Sequence, residues 1–454
     1  MMDMLTFKPV LLWSDALFLA LLAVCAGGLW WARGQDHLRQ AWLRVAASRS
    51  GMAAATLLAA FVLVALLDSL HYRPRLPEAK PAAGQPAAYA VEVLSVLDLV
   101  LRPLKLNTEK TYSAPLATHL FAKETLEGGR DFPRLRHGGA HLQDELARHE
   151  SDVMGAVLGG AALGLAAWCV VLLATRPLRR RHPAVAWEAA LAALLVLCLL
   201  AGPAAALAQG YHVFGTDKVG QDVLYLSLKS IRTGILIGTL TTLIMLPAAV
   251  LLGILAGYVG GWVDDAIQYL YTTLNSIPGV LLIAAAVLMM QVVIDTHPDW
   301  FATSAERADA RLLALCAILG VTSWTGLCRL LRGETLKLRE MEYVQAAQAF
   351  GVSRLAIMLR HILPNVMHIV LIAIVMDFSG LVLAEAVLSY VGIGVDPSTV
   401  SFGTMINTAR MELAREPMVW WSLAAAFCFM FVLVLAANVF ADVVRDAFDP
   451  RGSR

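Results

Sequence analysis

Few side chains in this sequence could do chemistry, and their spacing decides how each is read. Six cysteines (Cys25, Cys169, Cys198, Cys316, Cys328 and Cys428) fall inside or at the edge of apolar runs. None has metal-ligand spacing, so they read as small buried hydrophobes. His119, His137, His141 and His149 share one polar stretch at irregular intervals, which suits a solvated face better than a ligand set. Residues Phe214 to Val223 place Asp217 and Asp222 among Gly215, Thr216 and Gly220. That spacing does not fit a calcium loop. It fits a glycine-punctuated turn in which Asp222 caps the next helix. Asp377 and Glu385 lie inside an apolar run, where a charge at the bilayer centre costs ~2.5–3.5 kcal/mol. Asp377, nearer the middle, is a pathway candidate or a protonated core residue. Glu385, near the end of the run, reads as a structural hydrogen-bonding group. No Gly-x4-Gly-Lys-Ser/Thr phosphate loop occurs, so ATP is not bound through that motif. The chain is read as no enzyme, with no metal and no cofactor of its own.

The elements that must position these groups are membrane helices. Hydrophobic residues make up 58% of the 454 and charged ones 16%, more apolar surface than a water-soluble chain of this length can hide. A net charge of +1 gives no reason to expect nucleic acid as a partner. Apolar stretches near 11–31, 52–70, 153–174, 186–207, 234–257, 277–294, 311–331, 366–389 and 419–442 each approach the roughly 20 residues a spanning helix needs. The fold class expected is therefore an all-α polytopic membrane protein with about nine spans. Arginines after the first, third, seventh and last stretches fall on one side if the N-terminus is outside, which places the C-terminus in the cytoplasm. Segment 71–150 is then extracytoplasmic. It opens on a Pro/Ala/Gly linker from Pro74 to Pro86, followed by a helical pattern at Val91, Leu94, Leu97 and Leu101, and it can form only a thin core. Residues Val223, Leu224, Ser227 and Ile231 predict a short helix along the outer interface. The helix of the 277–294 stretch is expected to open at Pro278 or earlier, near Asp265.

The most informative stretch follows the seventh span. Residues 340–350 are good helix formers. Gly351 can take the left-handed conformation that ends a helix, and Ser353 can cap the next one. Pro364 interrupts regular hydrogen bonding just before the eighth span. The result is a short helix turned at a glycine and joined to a membrane helix. Its small side chains, Ala346, Ala347 and Ala349, let a partner surface approach closely.

This run resembles the signature loop of ABC importer permeases: Glu-Ala-Ala, three residues, Gly, nine residues, Ile-x-Leu-Pro. Here it reads Gln345-Ala346-Ala347, then Gly351, then His361-Ile362-Leu363-Pro364, with the spacing kept throughout. Tyr343–Ala347 and Arg360–Asn365 are similar to the peptide-type version. Three further segments resemble the dipeptide/oligopeptide/nickel permease family: Phe214–Val223, Gly257–Asp264 and Leu388–Pro397. The tail from Asn438 to Arg451 matches as well.

The resemblance covers about residues 211–454 and implies a type I ABC importer permease core. Domains are expected as 1–75 (two spans), 76–150 (extracytoplasmic), 151–210 (two additional spans) and 211–454, with a coupling loop at 340–364. It implies ATPase coupling through Tyr343, Gln345, Ala346, Ala347, Gly351, His361, Leu363 and Pro364. ATP and Mg then sit on partner ATPase subunits. A second permease subunit and an extracytoplasmic substrate-binding protein complete the assembly in membrane lipid. The binding protein would contact the 211–233 turn or the 390–418 loop. The location implied is the bacterial inner membrane, and the cargo short peptides more than nickel chelates. Two other classes compete. An ion-coupled secondary transporter would need inverted repeats and several midplane acids, and a membrane-anchored sensor would work through segment 76–150.

Overall fold

The computed structural model describes residues 7–32, 34–75, 89–126, 129–142, 146–301 and 303–448. Most of the Pro/Ala/Gly linker, Gly128 and the tail from Asp449 onward lie outside these residues. Strand β1 (Phe7–Val10) leads into α1 (Trp13–Ala32), α2 (Asp36–Ala47) and α3 (Arg49–Ser69). Strands β2 (His71–Pro74) and β3 (Leu94–Ser95) follow, then the one-turn helices α4 (Val96–Val100) and α5 (Arg102–Leu106) and the hairpin β4 (Glu124–Leu126) to β5 (Gly129–Asp131). Next come α6 (His149–Ala174), the basic turn α7 (Arg176–Arg181) and α8 (Trp187–Leu207). The remainder comprises α9 (Val223–Val259), α10 (Gly261–Ser276), α11 (Gly279–Thr296), α12 (Ser304–Arg339), α13 (Glu342–Ala349), α14 (Arg354–Ile357), α15 (Leu363–Val391), α16 (Phe402–Glu412) and α17 (Trp421–Phe448).

The protein is a polytopic helical membrane protein. Among the described residues eight helices are long and apolar enough to cross a membrane: α3, α6, α8, α9, α11, α12, the continuous run Arg354–Val391, and α17. Helix α1 is apolar over the shorter stretch Trp13–Gly28. Two local expectations change. Residues 223–233 do not form a separate interfacial helix; they are the first three turns of the 37-residue α9, with Val223, Leu224, Ser227 and Ile231 buried. The helix expected from Val91 begins only at Val96, because Leu94 and Ser95 pair with β2 and Ser95 then caps α4. Helix α10 is separate from α11, the break falling at Ile277–Pro278.

The chain divides into two compact units. One comprises residues 1–16, 42–235 and 397–440, the other 17–41, 236–396 and 441–454. In the first unit β1, β2 and β3 form one antiparallel sheet, in register Phe7 to Pro74 and His71 to Ser95. The sheet therefore joins the ends of α1 and α3 to segment 89–142. The same unit packs α6 against α8 at glycines. A Cβ on Gly160 would meet the Gly202 carbonyl at 2.6 Å, and one on Gly164 would run into the Cys198 carbonyl. Such close approach is how apolar helices associate where water supplies no driving force.

The second unit is built on an analogous contact. Gly253 and Gly257 lie one turn apart on α9. A Cβ on Gly253 would come within 2.8 Å of the Cys328 carbonyl, and one on Gly257 within 2.7 Å of the Arg332 carbonyl. Below this crossing the Arg332 guanidinium grips Asp264 of α10 through two hydrogen bonds of 2.5 and 2.7 Å. The buried core continues through Tyr258, Tyr271, Cys328 and Leu331 to Val344, Ile357, Ile362 and Val366.

Gly253→Leu should therefore overpack the α9–α12 crossing, at a cost of ~1–3 kcal/mol. Gly326→Ala, where a new Cβ meets nothing within 4 Å, should be neutral or better. Heat-induced aggregation in detergent reads both, and an equal midpoint for the two variants would remove the close-packed crossing.

Candidate functional site

The stretch at 340–364 forms an elbow. Helix α13 ends in a paired-hydrogen-bond C-cap: Gly351 N–H donates to Gln348 O (3.0 Å) and Val352 N–H to Ala347 O (3.1 Å), with Gly351 at φ +74°. This double closure satisfies the last carbonyls of the helix and needs a residue that tolerates positive φ. Nothing lies within 4 Å of a Cβ built on Gly351, so its requirement is conformational rather than steric. The Ser353 hydroxyl accepts from Ala356 N–H (3.3 Å) and starts α14.

From there the chain does not break before the membrane. A wide turn of π-helix, Met358–Ile362, links α14 to α15, and Pro364 sits in the first turn of α15. The extra residue in a π-turn re-spaces the backbone bonds so that proline's missing N–H falls where no donor is needed. Asn365 locks the joint. Its Nδ2 donates to His361 O (2.6 Å) and to the Tyr343 hydroxyl (3.2 Å), tying α13 to the start of α15.

The elbow has two faces. Val344, Ala347, Ile357 and Ile362 are buried in the core shared with α9, α10 and α12. Ala347 is thus a core contact and not, as its place in the motif suggests, a surface for a partner. Facing outward are Tyr343, Gln345, Ala346, Gly351 and Pro364, while His361 and Leu363 are half-buried. Gln345 Nε2 donates to Glu340 O (3.3 Å). Gln348 Nε2 donates to the Tyr258 hydroxyl (3.3 Å), fixing α13 to the end of α9. The most exposed apolar side chain here is Phe350, 87% exposed at the tip of the elbow, with Leu355 and Leu359 also projecting. Sequence reasoning passed over Phe350 because its position follows from the C-cap geometry, not from a motif letter.

The turn before α9 is equally specific but is not free. Thr216 and Asp222 are completely buried. Thr216 Oγ1 donates to Thr111 O (2.8 Å) and accepts from Ser113 N–H (2.7 Å). Gly215 and Gly220, both at positive φ, leave room for the backbones of Ser113 and Glu109. Asp217 Oδ1 accepts from Val219 and Gln221 N–H (2.9 and 2.8 Å). Asp222 caps α9 as expected, accepting from Leu224 and Tyr225 N–H (2.8 and 3.2 Å). Residues 109–116 pack against the buried side of this turn, while Lys218, Val219 and Gln221 at its tip stay exposed.

Beneath the segment sits an ionic relay. His212 Nδ1 is 2.8 Å from Asp222 Oδ2, and its Nε2 is 3.5 Å from Glu109 Oε1. Glu109 also accepts from the N–H groups of Arg136, His137 and Gly138 (2.9, 2.7 and 3.2 Å). Burial works to lower the His212 pKa, but the two carboxylates overcome it and raise it to about 9. Burial likewise pushes Glu109 up, and His212 with the three N–H donors brings it down to about 2. Of the other histidines, His141 pairs with Asp152 (2.8 Å) and His149 lies 3.3 Å from the Tyr211 hydroxyl. Glu385 is buried and accepts from the Ser389 hydroxyl (2.6 Å). Asp377 is half-buried in mid-α15. In the second unit Arg311 bridges Asp295 and Asp396, a tie between distant charges that spacing alone does not reveal.

The relay sets a pH window. A histidine raised from 6.5 to about 9 stabilises fully below pH 6.5, and that contribution is lost as pH rises through 9. A glutamate lowered from 4.5 to about 2 stabilises fully above pH 4.5, and that is lost as pH falls through 2. Amide exchange at residues 109–138 should be slowest between pH 4.5 and 6.5, after correction for intrinsic rates. His212→Gln should flatten the alkaline limb, and an unchanged limb would remove His212 from the relay.

Comparison with known proteins falls on the half of the chain that carries the elbow. The family described as binding-protein-dependent transport system inner membrane component matches residues 249–454. The oligopeptide transport system permease protein OppC of Mycobacterium tuberculosis is 32% identical over 239 residues, covering 53% of this chain and 76% of that protein. The dipeptide transport system permease protein DppC of Lactococcus lactis subsp. cremoris is 31% identical, with 53% and 64% covered. The glutathione transport system permease protein GsiD of Pectobacterium atrosepticum is 31% identical, with 53% and 73% covered. With its glycine-capped elbow running unbroken into a membrane helix, this multi-pass chain belongs to the family of binding-protein-dependent transport system inner membrane components, the permeases of ABC transporters.

Proposed function

We propose that this chain is one half of the translocation pathway of an ABC importer for short peptides, driven by ATPase subunits that dock on the elbow. The observation that carries this reading is the pairing of an exposed apolar tip, Phe350 with Leu355 and Leu359, with a buried inner face built into the helix core. A force applied at the tip reaches α9 and α12 through Val344 and Ala347, and reaches α15 through the π-turn without crossing a flexible loop. ATP and Mg act on the partner subunits. Their closure moves the elbow, and the elbow tilts the helices between inward-open and outward-open states. A second permease supplies the other half of the pathway, and a binding protein delivers cargo from outside. The names of the three relatives, which specify oligopeptides, dipeptides and glutathione, support peptide cargo. The arginine distribution supports a cytoplasmic position for the elbow.

Two substitutions test the joint. Phe350→Asp should abolish co-purification of the ATPase subunit while leaving membrane insertion intact, since the side chain contributes nothing to the core. Gly351→Val should do the same by straining the cap, since a left-handed residue other than glycine costs ~1–2 kcal/mol. Normal ATPase retention in both would remove the elbow as the docking point. Uptake by the purified chain alone, driven by an ion gradient, would overturn the importer reading.

A further inference from the structure

The amino-terminal region and segment 89–142 are bound to the permease core by buried charge. Two cations lie on the first turns of α9. Lys229 Nζ donates to Asp68 Oδ1 of α3 (2.7 Å) and lies 3.1 Å from Asp98 Oδ1 of α4. Around it, the Ser95 hydroxyl donates to Asp68 (2.7 Å) and the Tyr225 hydroxyl to Asp98 (2.7 Å). Arg232 donates to Asp15 of α1 and to the hydroxyls of Ser14 (3.2 Å) and Ser69 (3.3 Å), while His71 Nδ1 lies 2.7 Å from the other oxygen of Asp15. Asp15, Asp68 and Asp98 are all buried. Breaking a buried pair by removing one partner leaves an uncompensated charge, which is strongly destabilising. These ties therefore do not open cheaply.

The segment also bridges two core elements. Its residues Ser113 and Glu109 line the 210–222 turn as described. On its other side Phe121 packs edge-on against Trp421 at 4.8 Å between ring centres, and the Arg415 guanidinium lies over Tyr112 at 5.7 Å. The Trp421 indole N–H closes the circuit by donating to Thr216 O (3.0 Å). One continuous packing thus holds the start of α9, the start of α17 and segment 107–142 together.

We infer that the amino-terminal addition is a fixed brace on the permease half: residues 107–126 and 129–142 stay closed over the buried side of the 210–222 turn throughout the transport cycle, with Lys229 and Arg232 as the positioning residues that keep α9 attached to α1, α3 and α4. This rests on the importer reading. A delivery protein then meets the segment, the exposed loop around Arg415 and, of the turn, only the tip residues Lys218, Val219 and Gln221.

The Ser113 and Thr216 hydroxyl oxygens are 3.1 Å apart, so the pair Ser113→Cys/Thr216→Cys tests closure directly. A disulfide should form in isolated membranes without added partner, judged by the gel shift after cleavage between the two positions. Failure to form it would overturn the closed brace whatever the chain transports. In proteoliposomes holding the assembled importer, ATP-driven peptide uptake by the oxidised variant should stay within about twofold of the reduced one. A tenfold loss reversed by reductant would mean that the segment must open, and would overturn the proposal. For the positioning residues, R232D and D15R should each lower uptake about tenfold while ATPase co-purification is unchanged, and the R232D/D15R pair should recover to within about threefold. Singles that transport normally, or a well-inserted pair as weak as the singles, would overturn the assignment. Should the reversals fail to accumulate, Lys229→Met against Lys229→Arg serves instead. Arg should retain uptake and Met should lose it, and equal uptake by the two would overturn the role of the charge. Absence of ATP-driven uptake in the unsubstituted assembly would count against the importer reading alone, because the disulfide yield is measured without it.

Discussion

The structure depends on a backbone constraint at Pro364. A proline in the body of a membrane helix leaves an acceptor unpaired in a medium without water to replace the bond. Here the problem is moved to a helix end and absorbed by one π-turn. Because the ladder is re-spaced rather than broken, α14 and α15 remain one mechanical body. A flexible connection would dissipate displacement; a wide turn of helix transmits it. The hydrogen bonds from Asn365 back to α13 extend that body around the glycine corner.

The rest of the helix core follows from the same scarcity of compensation inside lipid. Helices α9 and α12 have no hydrophobic driving force to associate there, so they meet where side chains are absent, at Gly253 and Gly257. The cations of α9 are tolerated because carboxylates from three other helices meet them. Close backbone contact and buried ion pairing solve different halves of one problem. The first lets apolar surfaces fit, and the second neutralises the few polar groups that must be present.

Much of this was legible in the residues. Gly351, Ser353 and Asp222 do what their types predict, because cap chemistry is local and needs no tertiary information. Among the described residues, eight of the nine apolar runs coincide with helices long enough to span, because length and hydropathy are local too, while the run at 11–31 gives only the shorter apolar stretch Trp13–Gly28. What could not be read is what depends on partners far along the chain. Lys229 and Arg232 carry no motif of their own, and nothing nearby in sequence announces Asp15, Asp68 or Asp98 as their partners. Ala347 and Ala346 are adjacent and alike, yet one is core and the other surface, a difference set by which way α13 rolls onto α9. The place of segment 107–142 over the turn depends on backbone approach at Gly215 and Gly220, which a glycine-rich motif permits without naming its visitor.

The sheet formed by residues 7–10, 71–74 and 94–95 has a consequence for biosynthesis. Its three strands bracket α1 and α3, so these two helices can be pinned at one end while most of the chain is still unmade. Asp15, Asp68 and Asp98 leave the ribosome long before Lys229 and Arg232. The two cations of α9 are thus made only after all three of the carboxylates that receive them.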